Sequence, residues 1–212
     1  MPIDVDIITP DKLGGADKAA WLALRAQNPA LYSPYFHPDY TCLIGQLRDD
    51  AYIAIARNKD VPVAFFPYQG PRPGKSGFAR PIGAPMTDYH GIIAAPDTEL
   101  DYENLLLQTG IGAFHYSALI DPSGGMALHP SAVDAATIMD ISGGAESWRA
   151  ARDGSYRRSL KSHRRRVRKA EDDIGPRRFE FKSNDRAVFE QLVGWKSEKF
   201  IETGKYDVLS AG

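Results

Sequence analysis

Hydrophobic and polar positions repeat with two different periods along the first part of the chain. Alternation with period two predicts a strand in "VDIITP", residues 5–10. It also predicts a β-hairpin in "AYIAIARNKDVPVAFFPYQ", residues 51–69, where the polar turn "RNKD" separates two apolar runs. Spacings of three and four predict helices over residues 15–29 and 36–50. Strands and helices therefore alternate irregularly, which favours a mixed sheet.

The following segments continue this mixture. Residues 70–86, "GPRPGKSGFARPIGAPM", contain too many Gly and Pro residues for regular structure. "TELDYENLLLQTG" predicts a helix with Thr98 as its N-terminal cap and Gly110 at its end. Apolar runs predict three further strands, over residues 89–95, 114–120 and 134–141.

After residue 142 the pattern changes. It predicts a short helix, a basic segment, a strand in "RRFEFK" (177–182) and a helix over about 185–203. One strand and one helix cannot close a sheet. We therefore expect residues 178–212 to lack a complete sheet of their own, and either to pair with the first unit or to expose apolar side chains.

The basic segment contains eight Lys or Arg residues and no acid between Arg157 and Lys169. Its less polar residues recur at spacings of 4, 3, 4, 3 and 4 from Tyr156 to Ile174, which predicts one amphipathic helix. Leu160, Val167 and Ile174 are expected to pack, and His163 to be a core histidine. The charged residues are expected to stay exposed.

Like charges four residues apart, such as Arg157 and Lys161, weaken an isolated helix by a few tenths of a kcal/mol each. Three interpretations of this face stay open: a solvated surface, a site for an anionic ligand or acidic partner, and a nucleic-acid surface. For the second, the candidate anion-binding residues are Arg157, Arg158, Lys161 and Arg165.

Composition narrows these choices. The 212 residues carry a net charge of −1, with 26 basic and 27 acidic residues, so the chain outside the basic segment is acidic. This balance argues against a general nucleic-acid binder.

The sequence has a single cysteine, Cys42, which excludes an internal disulfide and suits a reducing cytoplasm. Cys42 is expected in the core. No apolar run is long enough to cross a membrane, and the first residues lack the features of a secretion signal.

Motifs for common chemistries are missing. "GPRPGKS" has one residue too few between its glycines for a phosphate-binding loop, and its prolines lack N–H donors. The scattered histidines and the single cysteine give no metal-site pattern.

One segment does suggest a binding site. In "GAPMTDYHGIIAA" a loop places Asp88, Tyr89 and His90 at the start of an apolar strand. These side chains are candidates for binding a substrate. Alternatively, they are buried and form hydrogen bonds to nearby backbone groups.

Several pieces together carry a family resemblance. They are "SPYFHPDY", the hairpin, "GAPMTDYHGII", "SWRAARDGSYRRSLKSHRRRVRKAEDDIG" followed by "FEF", and "GWKSEKFIETG". In their order and spacing, over essentially all 212 residues, the chain resembles the N-terminal part of the CelD-type acetyltransferase-like proteins. These are relatives of the GNAT superfamily from bacterial polysaccharide operons.

The resemblance implies an α/β (α+β) fold with a GNAT-like mixed, largely antiparallel sheet flanked by helices, in residues 1–142. Residues 143–212 would be the beginning of a second GNAT-like unit. The implied activity is transfer of an acyl group from acetyl-CoA or another acyl-CoA to an amine or hydroxyl, with a saccharide precursor as acceptor. No catalytic residue is assigned by it.

One departure from the family pattern matters. GNAT proteins bind the CoA pyrophosphate with an R/Q-x-x-G-x-G/A loop, which is absent here; "RPIGAP" ends in Pro85 where a free N–H is needed. We therefore expect activity only in a longer parent protein. Two alternatives remain: a FemAB-like aminoacyl transferase that uses charged tRNA, and a non-catalytic module that binds an anionic glycan or a synthase subunit.

Overall fold

The computed structural model describes residues 3–121, 124–126, 132–152 and 154–210. The chain divides into two compact units, Met1–Asp134 and Ala135–Gly212. The boundary predicted from the sequence, between residues 142 and 143, stays a prediction.

The first unit is a mixed sheet flanked by helices. In chain order its helices and strands are β1 (Asp4–Ile8), α1 (Gly15–Gln27), α2 (Pro38–Leu47), β2 (Ala51–Asn58), β3 (Val61–Gln69), β4 (Gly77–Pro81), β5 (Ile93–Ala94), α3 (Tyr102–Thr109) and β6 (Ile111–Phe114). Three single 3-10 turns begin at Pro10, Pro29 and Pro34. Within the described residues the strand order is β1-β2-β3-β4-β6, with β5 also paired to β3. Every pairing is antiparallel except β4 with β6, which confirms the predicted largely antiparallel sheet.

The β2–β3 hairpin forms the centre of this unit. Its turn residues Lys59 and Asp60 both have positive φ values, 49° and 67°, as a two-residue type I′ turn requires. Alternate side chains of the hairpin point to opposite faces of the sheet. Tyr52, Phe66 and Tyr68 pack on the face covered by Leu105 of α3, and Ile53, Ile55 and Phe65 on the face covered by Trp21 of α1. Both faces are therefore buried.

Several predicted elements are confirmed, including β1, α1, α2, the hairpin and the left-handed Gly110 that ends α3. Two details were wrong. The cap of α3 is Asp101, whose Oδ1 accepts from the Asn104 N–H at 2.9 Å, and not Thr98. The segment predicted to be irregular contains strand β4, because the Tyr68 and Gln69 edge of β3 offers it a backbone partner.

Two of the predicted strands in this region are also absent. Of residues 114–120, only Phe114 lies in a strand. It is the last residue of β6, because the parallel pairing of β6 with the short β4 ends at Ala79 and Phe114. Residues 134–141 form no ladder and are exposed. An apolar run becomes a strand only where a neighbouring backbone supplies hydrogen bonds.

The second unit is helical in the residues that the structure describes. It contains α4 (Gly144–Ala150), α5 (Gly154–Ile174) and α6 (Arg186–Glu202). The continuous basic helix is confirmed as α5, and Asp185 caps α6 as a side-chain acceptor. The strand predicted in 177–182 was wrong, because the described part of this unit has no other strand to pair with it.

The burial of α5 was predicted only in part. Leu160 and Val167 are half-buried, as the stripe requires, and the eight basic residues are exposed. The predictions for His163 and Ile174 were wrong, because His163 is exposed and Ile174 is 88% exposed. No described strand lies in this unit to cover the end of the stripe. Exposed apolar side chains in 178–212 were expected, and among the described residues eight large ones are exposed: Phe179, Phe181, Val188, Phe189, Leu192, Trp195, Ile201 and Tyr206.

We predict that Trp21→Ala destabilises the first unit by about 3–5 kcal/mol. Trp21 is fully buried, stacks on Phe65 with ring centroids 4.8 Å apart, and donates its indole N–H to the Phe36 carbonyl at 2.9 Å. Urea unfolding followed by circular dichroism measures the change. Leu22→Ala, at the exposed neighbouring position, is the control and should cost far less; an equal loss in both variants would contradict this account of the core.

Candidate functional site

The loop that follows β4 is anchored to the end of β3. Gly83 has φ +75° and donates its N–H to the Gln69 side-chain oxygen at 2.7 Å. Gln69 is 1% exposed and donates its own amide to Asp50 at 2.8 Å. A side chain at Gly83 would overlap the hydroxyl groups of Tyr40 and Thr87. The loop therefore leaves the sheet in one closely packed conformation.

Two tyrosines hold the far side of this loop. The Tyr35 hydroxyl donates to Asp88 Oδ2 at 3.1 Å. Thr87 Oγ1 donates to the Ile82 carbonyl at 2.6 Å, so in the 2.7 Å contact with Tyr40 the phenol is the donor. The Tyr35 and Tyr40 rings meet edge to face, with centroids 5.1 Å apart. We call Tyr35, Tyr40, Thr87 and Asp88 the tyrosine–aspartate cluster.

Both phenols in this cluster are donors at neutral pH. Burial raises the pKa of Tyr35, and the hydrogen bond to Asp88 raises it further. Burial also raises the pKa of Tyr40, against the opposing effect of Thr87. The exposed Asp88 carboxylate is thus held by a protonated phenol and faces solvent. A carboxylate in this setting can accept a hydrogen bond or a proton from a hydroxyl or amine.

The structure separates the three site residues predicted from the sequence. Asp88 belongs to the tyrosine–aspartate cluster, whereas the half-buried Tyr89 packs against the hydrophobic cluster of Trp21 and Phe36. His90 is 5% exposed. Their shared role in substrate binding stays a prediction, and the sequence analysis missed Tyr35, Tyr40 and Thr87. The signal for the two tyrosines was in "SPYFHPDY", where two phenols precede and enter a predicted helix.

His90 lies among aromatic rings beneath the loop. Its ring centroid is 6.1 Å from that of Phe114 and 6.0 Å from that of Tyr116. Its backbone pairs with Leu119, and its carbonyl accepts from the Ile120 N–H at 2.8 Å. Within the described residues neither ring nitrogen has a hydrogen-bond partner, and burial lowers the pKa of the imidazole to about 4. His90 is therefore neutral at physiological pH.

Two described loops of the first unit, residues 70–76 and 80–85, do not fit a CoA pyrophosphate. In the 80–85 segment the Gly83 N–H is bonded to Gln69 and the Ala84 N–H to the Pro81 carbonyl, and Pro85 has none. The 70–76 segment is similarly short of donors, because Pro71 and Pro73 have no N–H. Neither loop presents the row of free amides that binds a pyrophosphate.

A separate pocket lies between α3 and the strand β5. It has a volume of about 30 Å³ and is lined in part by Asn28, Ala94, Thr98, Tyr102 and Asp121. The Asn28 amide donates to the Ala94 carbonyl, and Asp121 accepts from the Met126 N–H. A space of this size holds about two water molecules.

The remaining candidates lie on α5. Arg157, Arg158, Lys161 and Arg165 are all exposed, and no ion pair joins them to another described residue. In the part of the chain that the structure describes, no three His, Cys, Asp or Glu residues are grouped to hold a metal ion. No helix among those residues is long and apolar enough to cross a membrane.

No protein-family model, curated protein or solved structure matches the chain. The interpretation of the site therefore depends on its own geometry.

We predict that stability falls as the pH is lowered from 6.5 towards 4 because of His90. The pKa of His90 in the folded state, about 4, lies below the ordinary imidazole value of 6.5, so the unfolded state binds the proton more readily in this range. The contribution is complete above pH 6.5, is lost as the pH falls to 4, and amounts to about 3 kcal/mol. Urea unfolding at pH 7 and pH 5 measures the part of this loss that falls between those two values, about 2 kcal/mol.

His90→Leu should flatten this dependence, whereas His115→Gln, at an exposed position, should leave it unchanged. A variant lacking His90 that still loses the same stability between pH 7 and pH 5 would contradict the assignment. The comparison between variants removes the contribution of the carboxylates that both share.

Proposed function

We propose that this protein is an acyltransferase that moves an acyl group from acyl-CoA to a hydroxyl or amine acceptor. The observation that carries the proposal is the tyrosine–aspartate cluster. In it, the fold joins "SPYFHPDY" to "GAPMTDYHGII" through the Tyr35–Asp88 and Tyr40–Thr87 contacts. These two segments are separate in the sequence, and both belong to the CelD-type resemblance. The mixed, largely antiparallel sheet supports a GNAT-like fold for the first unit.

The chemistry follows from the exposed carboxylate. The acceptor oxygen or nitrogen attacks the thioester carbonyl, its bond to the acyl carbon forms, and the carbon–sulfur bond breaks to release the thiol of CoA. Asp88 takes the proton that the acceptor loses. Tyr35 fixes the carboxylate by donating to Oδ2. Tyr40 and Thr87 hold the loop in place without reaching the acceptor.

The acceptor class follows from the same groups. A solvent-facing carboxylate beside the edge of a tyrosine ring suits a ligand with several hydroxyls, so we propose a saccharide precursor of polysaccharide biosynthesis. Tyr89 and His90 belong to this proposal as substrate-binding candidates through their place in the loop. The single cysteine is in keeping with a cytoplasmic location.

The donor is acetyl-CoA or another acyl-CoA. Since neither loop fits the pyrophosphate, we assign no residue of the first unit to it. In the second unit, which we propose to be the beginning of another GNAT-like unit, Arg157, Arg158, Lys161 and Arg165 form an anion-binding surface. The class of that anion is a separate question.

We predict that Asp88→Asn lowers kcat/KM for acyl transfer by about 10²- to 10⁴-fold, the usual effect of losing a general base. The assay follows thiol release from acetyl-CoA in the presence of hydroxyl- and amine-bearing sugars. Asp97→Asn, at an exposed position in the next loop, is the matched control and should leave the rate unchanged.

An Asp88→Asn variant with the wild-type rate would remove Asp88 from the mechanism. Because activity is expected only in a longer parent protein, the assay uses that protein. A parent protein that transfers no acyl group to any acceptor would remove the acyltransferase proposal itself, and would favour a non-catalytic binding module.

A further inference from the structure

The cations of α5 form one broad face. With 100° between successive residues, seven of the eight fall within an arc of about 140°, which extends for about 18 Å along the helix. They are Arg157, Arg158, Lys161, Arg164, Arg165, Arg168 and Lys169, and all are exposed. Among the described residues none of the seven forms an ion pair, and the half-buried Leu160 and Val167 lie outside this arc.

This charge distribution does not stabilise the helix. Arg157 and Arg158 lie near its N-terminus, and Glu171, Asp172 and Asp173 lie in its last turns. Both ends therefore oppose the helix macrodipole, which favours acids at the start and bases at the end. Like charges four residues apart add further repulsion. An anionic partner would offset these costs.

A second observation comes from the segment that follows α5. The Arg177 guanidinium lies 3.0 Å from Glu171, which is at the edge of the basic arc, seven residues after Arg164. Beyond it, Phe179 and Phe181 are 84% and 76% exposed, with ring centroids 6.5 Å apart. Arg178 and Lys182 flank the two rings. Exposed aromatic rings thus adjoin one end of the basic face, next to the exposed Ile174.

The breadth and composition of the face decide between anionic partners. A small anion would use two or three of these side chains, and a linear chain would contact one row of them. Apart from the acids near its C-terminal end, the arc carries only Lys and Arg, which bind the phosphates of a bilayer or of a nucleic acid alike. The chain outside the basic segment is acidic, which argues against a general nucleic-acid binder. Broad positive charge beside exposed phenylalanines is instead the combination that holds proteins at a membrane interface, where two signals are needed.

We propose that α5 and residues 174–182 form a docking surface for an anionic lipid bilayer. The arginines and lysines bind lipid phosphates, and Phe179 and Phe181 enter the interfacial region. Since the apolar stripe of α5 faces away from the cations, the helix lies on the headgroups and does not insert. This inference does not depend on the acyltransferase proposal.

The test is sedimentation of the full chain with vesicles, in the absence of CoA. Wild-type protein should bind vesicles of phosphatidylcholine mixed with phosphatidylglycerol and should not bind pure phosphatidylcholine. Binding should weaken as salt is raised. The triple variant Arg158→Gln, Lys161→Gln and Arg165→Gln should bind about 100-fold more weakly, at about 1 kcal/mol for each charge. Circular dichroism checks that the helices remain.

The matched control removes three positive charges from the first unit, by Lys12→Gln, Lys59→Gln and Arg72→Gln at exposed positions. It should bind as the wild type does. The double variant Phe179→Ser and Phe181→Ser should bind several-fold more weakly, with a larger relative loss at high salt, where the contribution of the cations is screened.

Three results would overturn the proposal. The first is wild-type protein that does not sediment with anionic vesicles, and the second is an equal loss in the control. The third is release of bound protein from vesicles by a duplex oligonucleotide or by acetyl-CoA at low concentration, with the same dependence on Arg158, Lys161 and Arg165. That result would assign the face to nucleic acid or to the cofactor.

Discussion

Burial of the β2–β3 hairpin on both faces is the constraint on which the first unit depends. "AYIAIA" and "AFFPY" place large side chains alternately on two sides of one ribbon, and neither side can remain in water. α1 covers one side through Trp21, and α3 covers the other through Leu105. β1 is fixed to the same ribbon by Arg57, which bridges Asp6 and Asp17 at 2.7 and 2.9 Å. The end of β3 then supplies Gln69, which positions the loop that carries Asp88.

The tyrosine–aspartate cluster thus lies at the edge of the buried core of the first unit. Tyr35 comes from the connection between α1 and α2, and Tyr40 from the first turn of α2. Their partners Asp88 and Thr87 come from a loop 53 and 47 residues later. Each phenol keeps its proton at neutral pH, since the pKa of tyrosine is ordinarily about 10 and burial raises it further, so each remains a hydrogen-bond donor. His90, only two residues beyond Asp88, is neutral for a related reason, since its surroundings are aromatic and dry. One short segment therefore combines an exposed charge with a buried neutral base.

In the second unit, unlike the first, the described residues include helices but no sheet. Its helices form from local signals such as the Asp185 cap, but the described residues provide no sheet to cover their apolar side chains. Exposure of Phe179, Phe181 and Trp195 and the unpaired cations of α5 together leave this unit with surface that suits partners more than solvent. Its exposed cations are the reason that we propose an anionic partner for it.

Local patterns in the sequence determined most of the helices and the central hairpin, because caps, turn residues and hydrophobic periodicity act over a few residues. They also indicated α5 and its exposed charge. Tertiary structure alone decided the strands that need a distant partner: β4 formed within a Gly/Pro-rich segment because β3 offered an edge, and residues 177–182 remained unpaired for lack of one. It likewise exposed His163 and Ile174 and brought Tyr35 to Asp88. Hydrogen bonds between remote segments depend on the packing of the whole unit, which no short pattern contains.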